Sequence, residues 1–310
     1  MQHTANNTNS ENTATATAEN TATAESSAEE RPDKPFVRMS TARSRELGEE
    51  LRRIRREANL SSGWVSEALG WSLGKLSKLE TGSRGTSVWE IGTLVGRCGA
   101  DKATRDRILA LVVEPDTGSF LRPHHTGPDD LTALTLHEAT ATSITVYEPL
   151  TIPALVQTEA YALALTGDQA LVRRRRARQE ALALRRGPHL TVYLHENALR
   201  HLVGDADMMR DQLLRLTSLH SASHTTVRVV PATAVAHPAL SHPAVLLTFP
   251  HPQRPLAYTE TDLATVFHDD SRMVTRLRDK MRHLTRLALS EQESGKALAH
   301  WADVYQGRLR

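Results

Sequence analysis

The chain has 310 residues, with 38 Lys and Arg against 36 Asp and Glu and a single cysteine, Cys98. That length fits about two domains of roughly 100–200 residues each, and one thiol excludes an internal disulfide framework and a zinc site built on several thiolates. No apolar run approaches the length of a membrane span. Residues 1–30 carry no Lys or Arg and no continuous apolar core, so no secretory signal is read there and a cytoplasmic location is expected.

In chain order, residues 1–30 are built from Thr, Ala, Asn, Ser and five Glu, and Pro32 and Pro35 follow. Such a stretch buries too little apolar surface to offset its ordering entropy, so 1–35 reads as a disordered tail. Residues 36–113 hold fourteen Lys and Arg against nine Asp and Glu. The positive charge is therefore local, as a segment facing polyphosphate requires. Within it, 43–113 reads as a run of short helices. The segment 114–128, with Pro115, Gly118, Pro123, Gly127 and Pro128, reads as a linker.

From 129 to 310 the periods mix. Helices are predicted at Leu131–Ala141, Asp168–Arg186, Asp205–His220, Asp270–Leu289 and Glu291–Tyr305. Ile144–Tyr147 alternates, and Leu190–Leu194, Val227–Val230, Val245–Phe249 and Leu256–Thr259 are short β-rich runs. Three or four strands among helices imply an α/β or α+β domain. No internal repeat is visible.

The informative stretch is Leu60–Gly82, LSSGWVSEALGWSLGKLSKLETG. Val65, Leu69 and Trp71 can face one core from a first helix and its turn, with Leu76 and Leu79 joining from a second. Gly70 stands where the turn needs a positive φ, and Ser66 is small where crossing helices approach. Ser61 and Ser72 stand at the two helix starts, where a hydroxyl caps free N–H groups. With Leu76 and Leu79 inward, Leu73, Gly74, Lys75, Ser77 and Lys78 face outward, as a recognition helix presents itself to the major groove.

This stretch resembles the Xre/Cro-repressor family of helix-turn-helix proteins, whose apolar, small and glycine positions it matches in register. Asn59 replaces the preferred Gly, a tolerable change at a left-handed helix end. Ser62 replaces a common DNA-touching Gln. The resemblance implies an all-helical, lambda-repressor-like domain that binds DNA as a dimer. It also implies an ion pair between Glu80 and Arg55. On that reading Ser62, Ser72, Leu73, Gly74, Lys75, Ser77 and Lys78 meet DNA, while Arg84 and Arg43 or Arg45 anchor phosphates. Arg52, Arg53 and Arg56 are expected on a solvated helix face.

The remainder, through YEPLTIPALVQTEAYA (147–162), the 195–216 stretch, VRVVP (227–231), AHPAL (236–240) and Tyr258-Thr259-Glu260, resembles actinobacterial regulators of the WhiJ type. These are antitoxin-like, and the resemblance implies a small protein partner for the C-terminal domain. Ala154 replaces the usual Gly of that run. A small-molecule effector is the alternative, and a DNA-tethered enzyme is a distant third. His237, His242, His251 and Glu260 match no metal-ligand spacing, and His195-Glu196 lacks a second His, Leu199 standing in its place. No catalytic or nucleotide-binding fingerprint appears, so neither enzymatic activity nor a cofactor is expected. The arginine run 173–176 reads as a solvated helix with an Arg176–Glu180 pair. The fold expected is α+β and multi-domain: a helix-turn-helix domain, 36–113, then a larger α/β domain, 129–310.

Overall fold

Caps and spacing set the first five helices. The computed structural model describes residues 40–83, 87–115, 117–124, 132–183, 187–222 and 224–307, all within one compact unit, Val37–Arg310. The expected tail 1–35, Arg84 and the last part of the expected linker, 125–128, lie outside the described residues. Helix α1 (Ala42–Glu57) starts on Thr41, whose hydroxyl accepts the Ser44 N–H at 3.2 Å. Helices α2 (Ser62–Ala68) and α3 (Leu73–Glu80) start on Ser61 and Ser72. Helix α4 (Val88–Arg97) opens with a Ser87–Glu90 capping box and α5 (Lys102–Val113) with Asp101. Leu51, Ile54, Val65, Leu76, Ile91, Leu94 and Ile108 fill one core, with Cys98 a small buried member of it. Each such side chain contributes about 1.5–3 kcal/mol by leaving water.

The end of α3 lies against α1 with no room to spare. A Cβ at Gly82 would stand 2.4 Å from the Ser44 carbonyl oxygen, and one at Gly48 would stand 2.6 Å from that of Glu80. Only glycine at both positions permits this approach.

The rest is a seven-stranded mixed sheet flanked by helices. Strand β1 (Ser119–Pro123) is followed by α6 (Thr132–Thr140) and β2 (Ser143–Glu148). Helices α7 (Glu159–Thr166) and α8 (Gln169–Leu182) lead to β3 (His189–His195), and α9 (Glu196–Arg200) and α10 (Ala206–His220) to β4 (Thr225–Val230). Then come β5 (Ala244–Thr248), β6 (Leu256–Glu260), β7 (Ala264–His268), α11 (Ser271–Leu287) and α12 (Glu291–Tyr305). The strand order is β1-β7-β6-β5-β2-β3-β4. Strands β2, β3 and β4 are parallel, with helical crossovers between them; β5, β6, β7 and β1 continue antiparallel.

Side chains alternate across the sheet, as a period of two demands. Ile144, Val146, Val192, Leu194 and Leu247 join one core with Met209 and Leu213 of α10 and Leu298 of α12. Tyr147, Tyr193 and Leu246 point the other way, onto Val274, Met281 and Leu284 of α11.

Two expectations are corrected here. The sheet has seven strands among the described residues, not three or four. The segment expected as a linker, 114–128, contains β1, whose Phe120 lies opposite Phe267 of β7 with the rings stacked at 4.8 Å. Five residues between Gly118 and the following turn are too few for a pattern of their own; they become a strand because β7 offers a partner edge.

The same stretch ties the helices to the sheet. Arg122 of β1 makes bidentate contacts with Glu46 of α1, at 2.8 and 2.7 Å, and with Glu114, at 3.0 and 2.9 Å. The Ala42 N–H donates to Asp269 at 3.1 Å. Arg45 is buried with its guanidinium 4.3 Å from the Phe249 ring centroid. Burial lowers its pKa to about 10, against the opposing pull of Asp269.

Candidate nucleic-acid interface

The surface around α3 is built by its caps. The Ser72 hydroxyl accepts the Lys75 N–H at 3.1 Å and keeps its own proton to donate outward; Ser61 accepts the Trp64 N–H at the same distance. Gly70 carries φ +64° in the turn and Asn59 φ +56° at the end of α1. Leu76 and Leu79 are buried, so α3 turns Leu73, Gly74, Ser77 and Lys78 to solvent, with Leu73 60% exposed. Lys78 makes no side-chain hydrogen bond or ion pair among the described residues. Nothing inside the fold asks for glycine at Gly74, where an added Cβ would meet only the Ser72 hydroxyl oxygen, at 4.0 Å.

Lys75 differs from the rest of that face. Its ammonium lies 2.8 Å from a Glu90 carboxylate oxygen and 4.1 Å from the centroid of Trp71. It is a half-buried bridge to the first turn of α4 rather than a free outward cation. Ser62, the first residue of α2, is half-buried beside the exposed Gly63 and Trp64. Trp64 in turn carries Arg97, whose guanidinium lies 4.5 Å from its ring centroid.

Beneath this surface, Arg55 donates to both Glu80 oxygens at 2.6 and 2.9 Å, and to the Leu60 carbonyl at 2.9 Å. That pair fixes the end of α3 to α1. Arg52 also reaches the Glu80 carbonyl, at 3.1 Å, and Arg53 binds Glu57 and Glu50, while Arg56 is exposed.

The two α1 arginines expected at phosphates stand elsewhere. Arg43 is held by Glu114, through its carboxylate at 3.2 Å and its carbonyl. Arg45 donates to the Ser40 carbonyl at 3.1 Å and is buried on Phe249. Both face the sheet, because the first turn of α1 is where the two parts of the chain join. Val88 and Trp89, 49% and 86% exposed at the start of α4, form an apolar surface that spacing alone did not single out. Two apolar residues just after the Ser87 cap, outside the Ile91–Leu94–Val95 stripe, were the available signal.

Away from this surface, His237 caps a short 3-10 turn by accepting the Ala239 N–H at 3.0 Å. Arg176 pairs with Glu180 at 2.8 Å and also with Glu159.

Comparison with known proteins follows the same division of the chain. Residues 46–108 match a family model described as a helix-turn-helix domain, and residues 131–300 match one described as a domain of unknown function, DUF5753. The chain belongs to the DUF5753 family. The DUF5753 match begins one residue before α6 and ends within α12, so β1 precedes it. No curated protein matches this DUF5753 chain. Among solved structures it is similar to that of TrmBL2, an archaeal chromatin protein that shows a novel mode of DNA binding. The identity is 12%, the match covers 64% of this chain and 66% of that one, and the TM-score is 0.30.

Proposed function

We propose that this chain is a sequence-specific DNA-binding transcriptional regulator, of the Xre/Cro type and the WhiJ-like group, that enters the major groove with α3. The observation that carries the reading is the helix-turn-helix match at 46–108 together with a capped helix turning Leu73, Gly74, Ser77 and Lys78 to solvent. Lys78 reads a base edge, Ser72 donates to a phosphate, and Ser62 approaches the backbone from the start of α2. Lys75 plays a secondary part, because leaving Glu90 costs it an ion pair. Arg84 remains a phosphate anchor in this proposal; Arg43 and Arg45 leave it. Two copies bind together, with Val88 and Trp89 the apolar surface offered to the second. The sheet domain takes a small protein partner that changes operator affinity, and the chain has no enzymatic role.

The test starts from duplexes selected out of a random-sequence library by the full chain. Lys78→Ala should weaken binding to the selected duplex by about 1–3 kcal/mol and relax one base position, and Lys75→Ala should cost less. Salt should weaken binding steeply, as phosphate neutralisation requires. Failure to select any sequence, or wild-type affinity in Lys78→Ala, removes this reading.

A further inference from the structure

A cavity of about 550 Å³ opens at the C-terminal ends of β2 and β6. Its walls come from segments far apart in sequence: 146–157, the first turns of α8, the start of β5, and 258–262. Open α/β sheets place ligands in the crevice outside the carboxyl ends of their strands. Here β2 runs parallel to β3 on one side and antiparallel to β5 on the other.

Three charged groups in its walls, Arg178, Arg175 and Glu148, are incompletely matched among the described residues. Arg178 is 2% exposed; it donates to both Glu138 oxygens, at 2.9 and 2.8 Å, and lies 3.5 Å from Glu260, yet its Nη1 has no hydrogen-bond partner among the described residues. A buried guanidinium nitrogen without an acceptor is costly, and Arg178 lines the cavity. Arg175 adds a second guanidinium, held by Gln157 at 3.0 Å, with its Nε also unmatched among the described residues. On the acidic side, Glu148 at the end of β2 receives no hydrogen bond from any described residue. Burial and the neighbouring Glu260 push its carboxyl up to about 7, more than Lys280 and Arg175 pull it down. Cationic and acidic groups thus stand side by side, Glu260 touching Arg178. The wall also carries the apolar side chains of Val146, Ile152, Leu155, Leu165, Leu171 and Val245, together with the charged Asp168, Arg174 and Asp262.

We infer that this cavity binds a small α-amino carboxylate with an apolar side chain, its carboxylate at Arg178 and Arg175 and its ammonium at Glu148 and Glu260. Adjacent charges of opposite sign match the short separation between the two head groups, and the apolar wall takes the side chain. A cavity of this size is within the range of small-molecule sites and leaves room for an aromatic side chain. The site lies wholly at and beyond His124, so it stands or falls independently of DNA reading by α3.

The experiment titrates L-leucine, L-methionine, L-phenylalanine and L-tryptophan into the full chain, by calorimetry and by thermal unfolding. At least one should bind saturably and raise the unfolding temperature. For that amino acid, the N-acetyl derivative and the decarboxylated amine should each bind at least about tenfold more weakly, because each loses one charged contact. Glu148→Gln and Arg175→Gln should impose a similar loss while keeping the wild-type circular dichroism. The inference is overturned if none of the four binds at millimolar concentration, if either blocked analogue binds as well as its parent, or if either variant binds like the wild type.

Discussion

Arg55 and Arg178 each clasp a glutamate with two hydrogen bonds, one in the helical domain and one in the sheet domain. Around Arg55 the remaining capacity is used: Nη1 donates to the Leu60 carbonyl, and Arg52 shares Glu80 from the other side. Around Arg178 the sharing runs on the acceptor side. The Tyr258 hydroxyl also donates to Glu138, at 2.6 Å, while Nη1 of the arginine is left without an acceptor among the described residues. The first pair is a complete structural clamp between two helices. The second is a clamp with one arm open, and the open arm belongs to a residue of the cavity wall. The same local geometry thus serves closure in one place and reception in the other.

The sharpest way to break that comparison is to remove each glutamate. Glu138→Ala leaves an arginine that is 2% exposed with only the longer contact to Glu260, at 3.5 Å, and should cost about 3–5 kcal/mol in urea unfolding, the usual result of breaking a buried ion pair from one side. Glu80→Ala should cost less, because the Arg55 side chain is 9% exposed and keeps the Leu60 carbonyl. Equal costs would erase the distinction.

Next in size is a pH effect at the open site. With the Glu148 carboxyl at about 7 in the folded chain and an ordinary value of 4.5 when unfolded, the folded state holds a proton that the unfolded chain has lost. Stability therefore falls as pH rises from 4.5 to about 7 and stays reduced above. Glu148→Gln should remove this loss, gaining up to about 3 kcal/mol above neutral pH and nothing below the ordinary carboxylate range. A pH-independent difference would show that the carboxyl is not held up.

His137 makes the opposite titration at the junction of the two domains. It is fully buried on Phe267 and Phe249, and neither ring nitrogen has a hydrogen-bond partner among the described residues. Burial, with Arg45 and Arg122 nearby, holds its pKa well below 6.5, so stability present above that value is lost as pH falls through it. His137→Leu, close in volume, should gain about 1–3 kcal/mol by removing unmatched nitrogens, and more in acid than at neutral pH.

The smallest effect concerns α3. Gly74→Ala should stabilise the fold by about 1 kcal/mol, since helix propensity improves and no neighbour obstructs the methyl group. Affinity for the selected duplex should fall, because the methyl projects from the proposed groove face. Unchanged affinity would mean that Gly74 does not touch DNA.

The helical domain was legible because its signals are local. Ser61, Ser72, Gly70 and the Leu76–Leu79 spacing each act within one turn of themselves, and the structure uses them as caps, a left-handed turn and core. The Glu90 contact of Lys75 was not legible, since Glu90 reaches it from the next helix. In the sheet domain, the longer helices and the apolar strands β3 to β6 declared themselves by period. Strands β1 and β7 did not: five residues each, they are defined by pairing with one another and with β6. The cavity escaped for the same reason. Glu148 and Glu260 are brought together by β5 lying between their strands, and no spacing in the chain encodes that.

Arg45 and Arg43 contact Phe249 and Glu114 because α1 is a single rod with two ends. Its first turn is embedded in the sheet domain through Ala42, Arg45 and Glu46, and its last turn holds α3 through Arg55. Sixteen residues make a strut of about 24 Å. Were the anchored end to tilt by roughly 10°, the far end would swing by about 4 Å, slightly more than the 3.4 Å rise between neighbouring base pairs. A repacking of just under an ångström around Phe249 would thus be multiplied along the rod into a displacement of about 4 Å at α3.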